Sequence, residues 1–324
     1  MYAVSTMQGW KKQNEDTYII EIPYNFNKDE NKNKNKYKND NLNIFGIFDG
    51  HYGREISEFV SENFTNELFK NKNLENNLEL AIKETFIKMD ELMRTEKGKK
   101  EIKNISKKLK EEYHIKNNNQ PPLYQINLLS NLIGEKDNEN NENIANFIGC
   151  CVCICIIDIN MKKIYYVNLG DSKIVIYNAQ NAISIPKTKE HLTNIEEEKN
   201  RINKAQGWIS DNKIMGNLKV TRSLGDLNYK NNKQLKYDEQ IISPIPDIVC
   251  EDFENIDFII MGSNGFWDGI TNEKVCDYFN AGINEKELVE IIEDFLDDNC
   301  SQDLYDEKGI RCDNMTCIFI IPNK

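Results

Sequence analysis

Long apolar runs are missing from this chain. No stretch reaches the roughly 18 apolar residues that a membrane-spanning helix needs, so no membrane span is predicted. The opening residues, MYAVSTMQGW, hold no basic region followed by an apolar run, which predicts no signal peptide. Residue 2 is Tyr rather than Gly, so N-myristoylation is not expected. Positive charge is also short: 41 Lys and Arg face 53 Asp and Glu, a formal charge of -12. Such a surface repels a nucleic-acid backbone, so nucleic-acid binding is not expected. Histidine numbers three in 324 residues, which leaves few donors for a zinc centre. The nine cysteines form no second ligand cluster. Four of them, Cys150, Cys151, Cys153 and Cys155, sit in one apolar run and are expected to be buried free thiols. That usage predicts a reducing intracellular compartment, cytoplasmic or nuclear.

The length fits one large domain or two small ones. Hydrophobic residues make up 39%, and two polar tracts, at about 25–43 and 97–146, account for much of the deficit. The tract Asn25 to Asn43 is Asn, Lys and Asp with little to bury, and reads as a disordered loop extension. In Lys97 to Lys116, Ile102, Ile105, Leu109 and Tyr113 recur at near-helical spacing among lysines, a basic amphipathic helix. Docking of an acidic partner is one reading of it; a solvated insertion is the plainer one. Asp137 to Asn143 reads as a flexible linker.

The chain is organised around Ile44 to Gly53, IFGIFDGHYG. A buried strand ends at Asp49-Gly50-His51, and a helical pattern follows. A carboxylate and an imidazole on a Gly-flanked turn suit chemistry, and Asp49 as an ordinary helix cap is the alternative. Ile56, Phe59, Val60, Phe64 and Leu68, then Leu78, Ile82, Phe86, Met89 and Met93, give two amphipathic helices with core-packing stripes. Gly149 to Asp158 is a strand buried on both faces, followed by strands at Lys163 to Leu169 and Lys173 to Tyr177. Further strands are expected at Ala3 to Met7, Thr17 to Ile20, Asp257 to Met261 and Cys317 to Ile321. Helices are expected near Lys274 to Phe279 and around Leu288, Ile291, Ile292 and Phe295.

One pattern repeats: strands are bordered by turns bearing a carboxylate or its amide. These are Glu15 and Asp16, Asp49, Asp171, Asn264 and Asp268, and Asp313. Glu15 and Asp16 read equally as a solvated edge or as metal ligands, and Asp171 as a plain turn residue. Carboxylates gathered at strand ends would need cations to stay ionised, and oxygen ligands select hard ions such as Mg²⁺ or Mn²⁺.

The stretches QGWKKQNEDTY, FGIFDGHYG, YYVNLGDSKIVIY, KVTRSLGD, IIMGSNGFWDGI and CDNMT resemble, in order, the metal-dependent (PPM, type-2C) serine/threonine protein phosphatases. The resemblance runs almost end to end and implies a single α+β domain, 1–324. Its fold would be a β-sandwich of two antiparallel sheets flanked by helices. It implies a binuclear Mg²⁺/Mn²⁺ site with a third, weaker cation, a phosphoprotein substrate, and hydrolysis by metal-activated water with no phosphoenzyme. Carried over, Asp49 would bridge two metals, Gly50 would offer its carbonyl, and Glu15 would serve the second metal. Asp313 and Asn264 would sit on the first. His51 would be the general acid. Asp171 and Asp268 fall where the family holds the third cation. Arg222 and Asp226 look structural, and Tyr177 to Gln240 matches the family's flap. Two positions depart from the pattern. The aligned Asp is Asn264, which ligates without charge, and the phosphate-binding Arg is Lys11, a point charge instead of a bidentate fork. A phosphatase of reduced rate or high metal requirement is therefore expected. A pseudophosphatase that binds phosphoproteins or partners without efficient catalysis is the alternative. Retention of Glu15, Asp49, Gly50, His51, Asp171, Asp268 and Asp313 favours the first.

Overall fold

The computed structural model describes residues 1–22, 41–116, 143–253, 256–303 and 310–322. Most of the polar tract at 25–43 and of the linker at 137–143 lies outside them.

In chain order come β1 (Tyr2–Met7), β2 (Thr17–Glu21), β3 (Leu42–His51), α1 (Glu55–Lys70), α2 (Leu78–Arg94) and α3 (Glu96–Lys116). Next are β4 (Gly149–Asp158), β5 (Lys163–Leu169), β6 (Lys173–Asn178), β7 (Ile183–Pro186), α4 (Glu196–Lys204), β8 (Ile209–Ser210), β9 (Lys213–Ile214) and β10 (Leu224–Gly225). The chain closes with β11 (Asp247–Asp252), β12 (Phe258–Gly262), α5 (Asn264–Trp267), α6 (Asn272–Gly282), α7 (Leu288–Asn299) and β13 (Met315–Ile320).

Two antiparallel sheets form the centre. One runs β1-β13-β12-β6-β7 and the other β11-β5-β4-β3-β2, with β10 added to β4. Alternate side chains divide β3 between two cores. Phe45 and Ile47 point between the sheets with Cys153, Cys155, Ile259 and Ile318. Ile44 and Phe48 point outward against Phe59, Phe64 and Phe86 of α1 and α2. Both faces of β3 and β4 are thus covered, which is why their sequences are apolar without alternation. Each phenylalanine fully buried there contributes about 1.5–3 kcal/mol relative to exposure. On the other sheet, α6 and α7 cover Phe258, Ile260 and Phe319 with Phe279 and Phe295. The α+β sandwich flanked by helices follows as expected.

Three local features refine the expectations. The strand β3 does not stop before Asp49 but carries Asp49, Gly50 and His51 in register with Cys151, Cys150 and Gly149. The residue preceding α1 is Arg54, so Asp49 is not a helix cap. The lysine-rich segment forms α3, which packs Ile102 and Ile105 into the outer core while leaving lysines in solvent. Among the described residues no helix is long and apolar enough to cross a membrane. All nine cysteines are free thiols.

Candidate functional site

Sandwich geometry brings the carboxylate-bearing turns to one end. A cavity of about 550 Å³ opens there, lined by Lys11, Glu15, Asp49, Gly50, His51, Asp171, Asn264 and Asp313 among others. Eight of the ten residues singled out in the sequence therefore share one space. Two do not line it. Asp16 lies buried, its Oδ2 accepting from Thr316 Oγ1 at 2.7 Å. Asp268 accepts from the Arg311 amide at 3.0 Å through its Oδ2.

The floor is strongly anionic. Burial pushes the Asp49 carboxyl well above the usual range, and Asp16, Asp171 and Asp313 push it the same way. Burial raises Glu15 to about 7 and Asp16 to about 6. Asp16 Oδ1 is buried with no hydrogen-bond partner among the described residues. Such a set, oxygen donors with a deficit of positive charge, fits a hard divalent cation. No closed cage of three or more Asp, Glu, His or Cys side chains is assembled among the described residues. A magnesium-like ion does not require one, since it takes one or two carboxylates and keeps several waters.

Two polar groups lean on this floor. The Asn264 amide nitrogen donates to Asp171 Oδ2 at 2.6 Å, and its backbone N–H donates to Asp49 Oδ2 at 3.0 Å. Lys11 Nζ sits 2.8 Å from Asp313 Oδ1. Both partners of that pair are half exposed, so it contributes at most about 1 kcal/mol.

His51 has a partner that the sequence left in the background. Its Nε2 lies 2.7 Å from Asp226 Oδ2, and Asp226 is buried. Burial alone would lower the imidazole; the Asp226 carboxylate outweighs it, and the pKa of His51 rises. Asp226 is itself fixed. Ser223 Oγ donates to its Oδ2 at 2.6 Å, and its backbone adopts a left-handed φ of 47°. The preceding Gly225 N–H donates to Asp90, which is paired with buried Lys230 at 2.6 Å. Gly149 allows the close approach: a Cβ there would stand 2.2 Å from Asp226 Oδ2 and 2.7 Å from His51 Nε2.

A residue not singled out in the sequence, Asn314, braces the loop that carries Lys11 and Glu15. Asn314 Oδ1 accepts from the Glu15 amide at 2.9 Å, and Nδ2 donates to the Gln8 and Gln13 carbonyls at 2.8 and 3.0 Å. Asn314→Ala is expected to lower stability by about 2–4 kcal/mol, since three part-buried hydrogen bonds are lost together. Urea denaturation of the parent and variant measures it, and a loss under about 0.5 kcal/mol contradicts the bracing role.

Arg222 is structural, as expected. It binds Glu198 at 2.6 Å and Asp247 at 2.7 Å. His191 accepts from the Gly170 amide at 3.0 Å and thereby ties this network to the turn bearing Asp171. The His191 ring, with Nε2 3.2 Å from Asp247 Oδ2, and the Arg222 guanidinium beside it hold the Asp247 carboxyl well below the usual range.

The family model described as protein phosphatase 2C matches residues 1–307. A curated relative, protein phosphatase 2C 1 of Paramecium tetraurelia, is 32% identical over 99% of this chain and 91% of its own length. Two crystal structures share the fold. One is a phosphatase from a pathogenic strain of Toxoplasma gondii, with TM-score 0.67 and 16% identity over 98% of this chain and 91% of its own. The other is a serine-threonine phosphatase 2C from Toxoplasma gondii, with TM-score 0.64 and 15% identity over 98% and 93%.

Proposed function

Because the chain belongs to the protein phosphatase 2C family, we propose that its cavity hydrolyses phosphoserine and phosphothreonine in proteins with Mg²⁺ or Mn²⁺. The observation that carries the reading is the convergence of Glu15, Asp49, Asp171 and Asp313 on one cavity beside a histidine held by a buried aspartate.

Asp49, Glu15, Asp313, Asn264 and the Gly50 carbonyl would hold two cations, with Asp171 and Asp268 toward a third and Asp16 beneath them. Bound there, the cations would polarise the phosphoryl oxygens and make water a better nucleophile at neutral pH. The chain's own groups do the rest. Lys11 neutralises phosphoryl charge as a point charge, without the orientation of a guanidinium fork. His51 gives a proton to the departing seryl or threonyl oxygen. Asp226 fixes the ring and favours its protonated form. Asn264 brings no negative charge, so cations bind a floor one charge weaker than an aspartate would make.

One observation favours the pseudophosphatase reading: Asn264 and Lys11 already engage Asp171 and Asp313 oxygens. Turnover of a phosphothreonine peptide with and without Mn²⁺ separates the two. The parent should turn over only with Mn²⁺, Asp49→Ala should not, and Asn264→Asp should need about tenfold less Mn²⁺ for half-maximal rate. Turnover by Asn264→Asp alone would establish the pseudophosphatase.

A further inference from the structure

The cavity has a floor of carboxylates but a mouth of lysines. Lys12 follows β1, while Lys213 and Lys219 come from the segment between α4 and β10; all three line the cavity. Lys12 and Lys219 are exposed, and Lys213 is half-buried. No carboxylate of the described residues is ion-paired to Lys213 or Lys219. In a chain of formal charge -12, this is a local reversal of sign.

The two flap lysines are held in place. Asp211 and Asn212 take left-handed φ values of 51° and 58°. That is the conformation of a two-residue hairpin turn, which Asp and Asn tolerate well. The turn joins β8 to β9 and pairs Ser210 with Lys213. Ile214 and Leu218, the neighbours of Lys213 and Lys219, are buried together with Ile202 and Ile242. The lysines are thus presented by a small packed unit.

Basic character continues away from the mouth. Tyr113, near the end of α3, lines the same cavity. Lys100, Lys103, Lys107 and Lys110 are exposed at steps of three or four residues, which makes one stripe of that helix.

We infer that the phosphorylated segment taken by this site is acidic: a phosphoserine or phosphothreonine flanked by aspartate or glutamate. The flanking carboxylates meet Lys12, Lys213 and Lys219, and longer acidic segments extend toward the α3 stripe. A basic segment meets like charge at the same rim and is rejected. This rests on the phosphatase reading for the phosphoryl group alone; the charge of the flanks is a separate claim.

The test is fluorescence anisotropy with the full chain, Mn²⁺, and three labelled peptides. Each carries a hydrolysis-resistant phosphonomethyl analogue of phosphoserine, flanked by aspartate, alanine or lysine. The aspartate peptide should bind about tenfold tighter than the lysine peptide at low salt, and the gap should narrow as salt rises. Lys213→Glu combined with Lys219→Glu should remove the preference, whereas Lys204→Glu, at the exposed end of α4, should retain it. Equal binding of the three peptides by the parent overturns the inference, as does a preference undiminished in the double variant. Hydrolysis of p-nitrophenyl phosphate by the same samples reports on the enzyme reading. No hydrolysis with the binding order intact ends that reading and leaves the acidic preference standing.

Discussion

Asp226→Asn should lower turnover of a phosphothreonine peptide by about 100-fold, and turnover of p-nitrophenyl phosphate far less. The difference lies in the leaving group. A threonyl alkoxide is strongly basic and departs only when protonated, while nitrophenolate departs without a proton. Asp226 is buried, and its Oδ2 is 2.7 Å from His51 Nε2. Burial would raise its carboxyl, but His51 first and Ser223 after it hold it below the ordinary value. The aspartate therefore remains anionic and stabilises a charged imidazole. An asparagine at the same place keeps the shape and most of the packing while removing that charge. It also presents an amide N–H to the ring in one of its two orientations. The outcome that would sink this assignment is an equal fall for both substrates, which would point to a general loss of fold or cation.

Asp49→Asn should remove cation-dependent turnover and yet raise the melting temperature of the metal-free protein at pH 8 by several degrees. The sign follows from the shifted carboxyls. Burial lifts Asp49 well above the ordinary aspartate range, and Glu15 to about 7. The folded chain therefore holds these protons more tightly than the unfolded chain, and stability falls as pH climbs through that interval. The contribution is intact below about pH 4, where both states are protonated. It is lost by the time the folded groups ionise. Removing one of the crowded charges relieves the rest, by about 1–3 kcal/mol after allowance for partial solvation of the floor. Scanning fluorimetry in chelator at pH 4 and pH 8 checks both halves: the two proteins should lie close together at pH 4 and separate at pH 8. Saturating Mn²⁺ should reverse the order, because only the parent binds it tightly. If the variant melts lower than the parent in chelator at pH 8, the floor is not under electrostatic strain.

How much of this was legible in the sequence depended on where the physical cause sat. The strands β3, β4 and β12 are sandwiched between layers, so burial wrote continuous apolar runs at Ile44–Phe48, Cys150–Ile157 and Phe258–Met261. The amphipathic helices α1 and α2 were equally plain. The six motifs placed the carboxylates, and the fold collected most of them. Asp226 was marked only as structural, from the resemblance, and its link to His51 was not read. Its partner lies 175 residues away, and no local pattern records that distance. The same holds for Asn314, whose contacts reach Gln8, Gln13 and Glu15 across the chain. The short pair β8 and β9 has only two residues per strand, too few for any period to register. The α3 segment was ambiguous because one face is core and the other is lysine-rich.

The four thiols of β4 give the protein a clock. Cys150, Cys153 and Cys155 have no exposed surface, and Cys151 has 2%. Burial pushes all four upward, so almost no reactive thiolate exists at neutral pH while the sheet is closed. Cys250 and Cys300 are only partly covered and are open to prompt labelling. A thiol reagent should therefore modify Cys250 and Cys300 first and the buried thiols slowly, and peptide mapping of the four β4 cysteines times the parting of β4 from β3 and β5. Cys151 faces Asp49 across that same ladder, so its slow labelling also dates the moment at which the carboxylate floor comes apart.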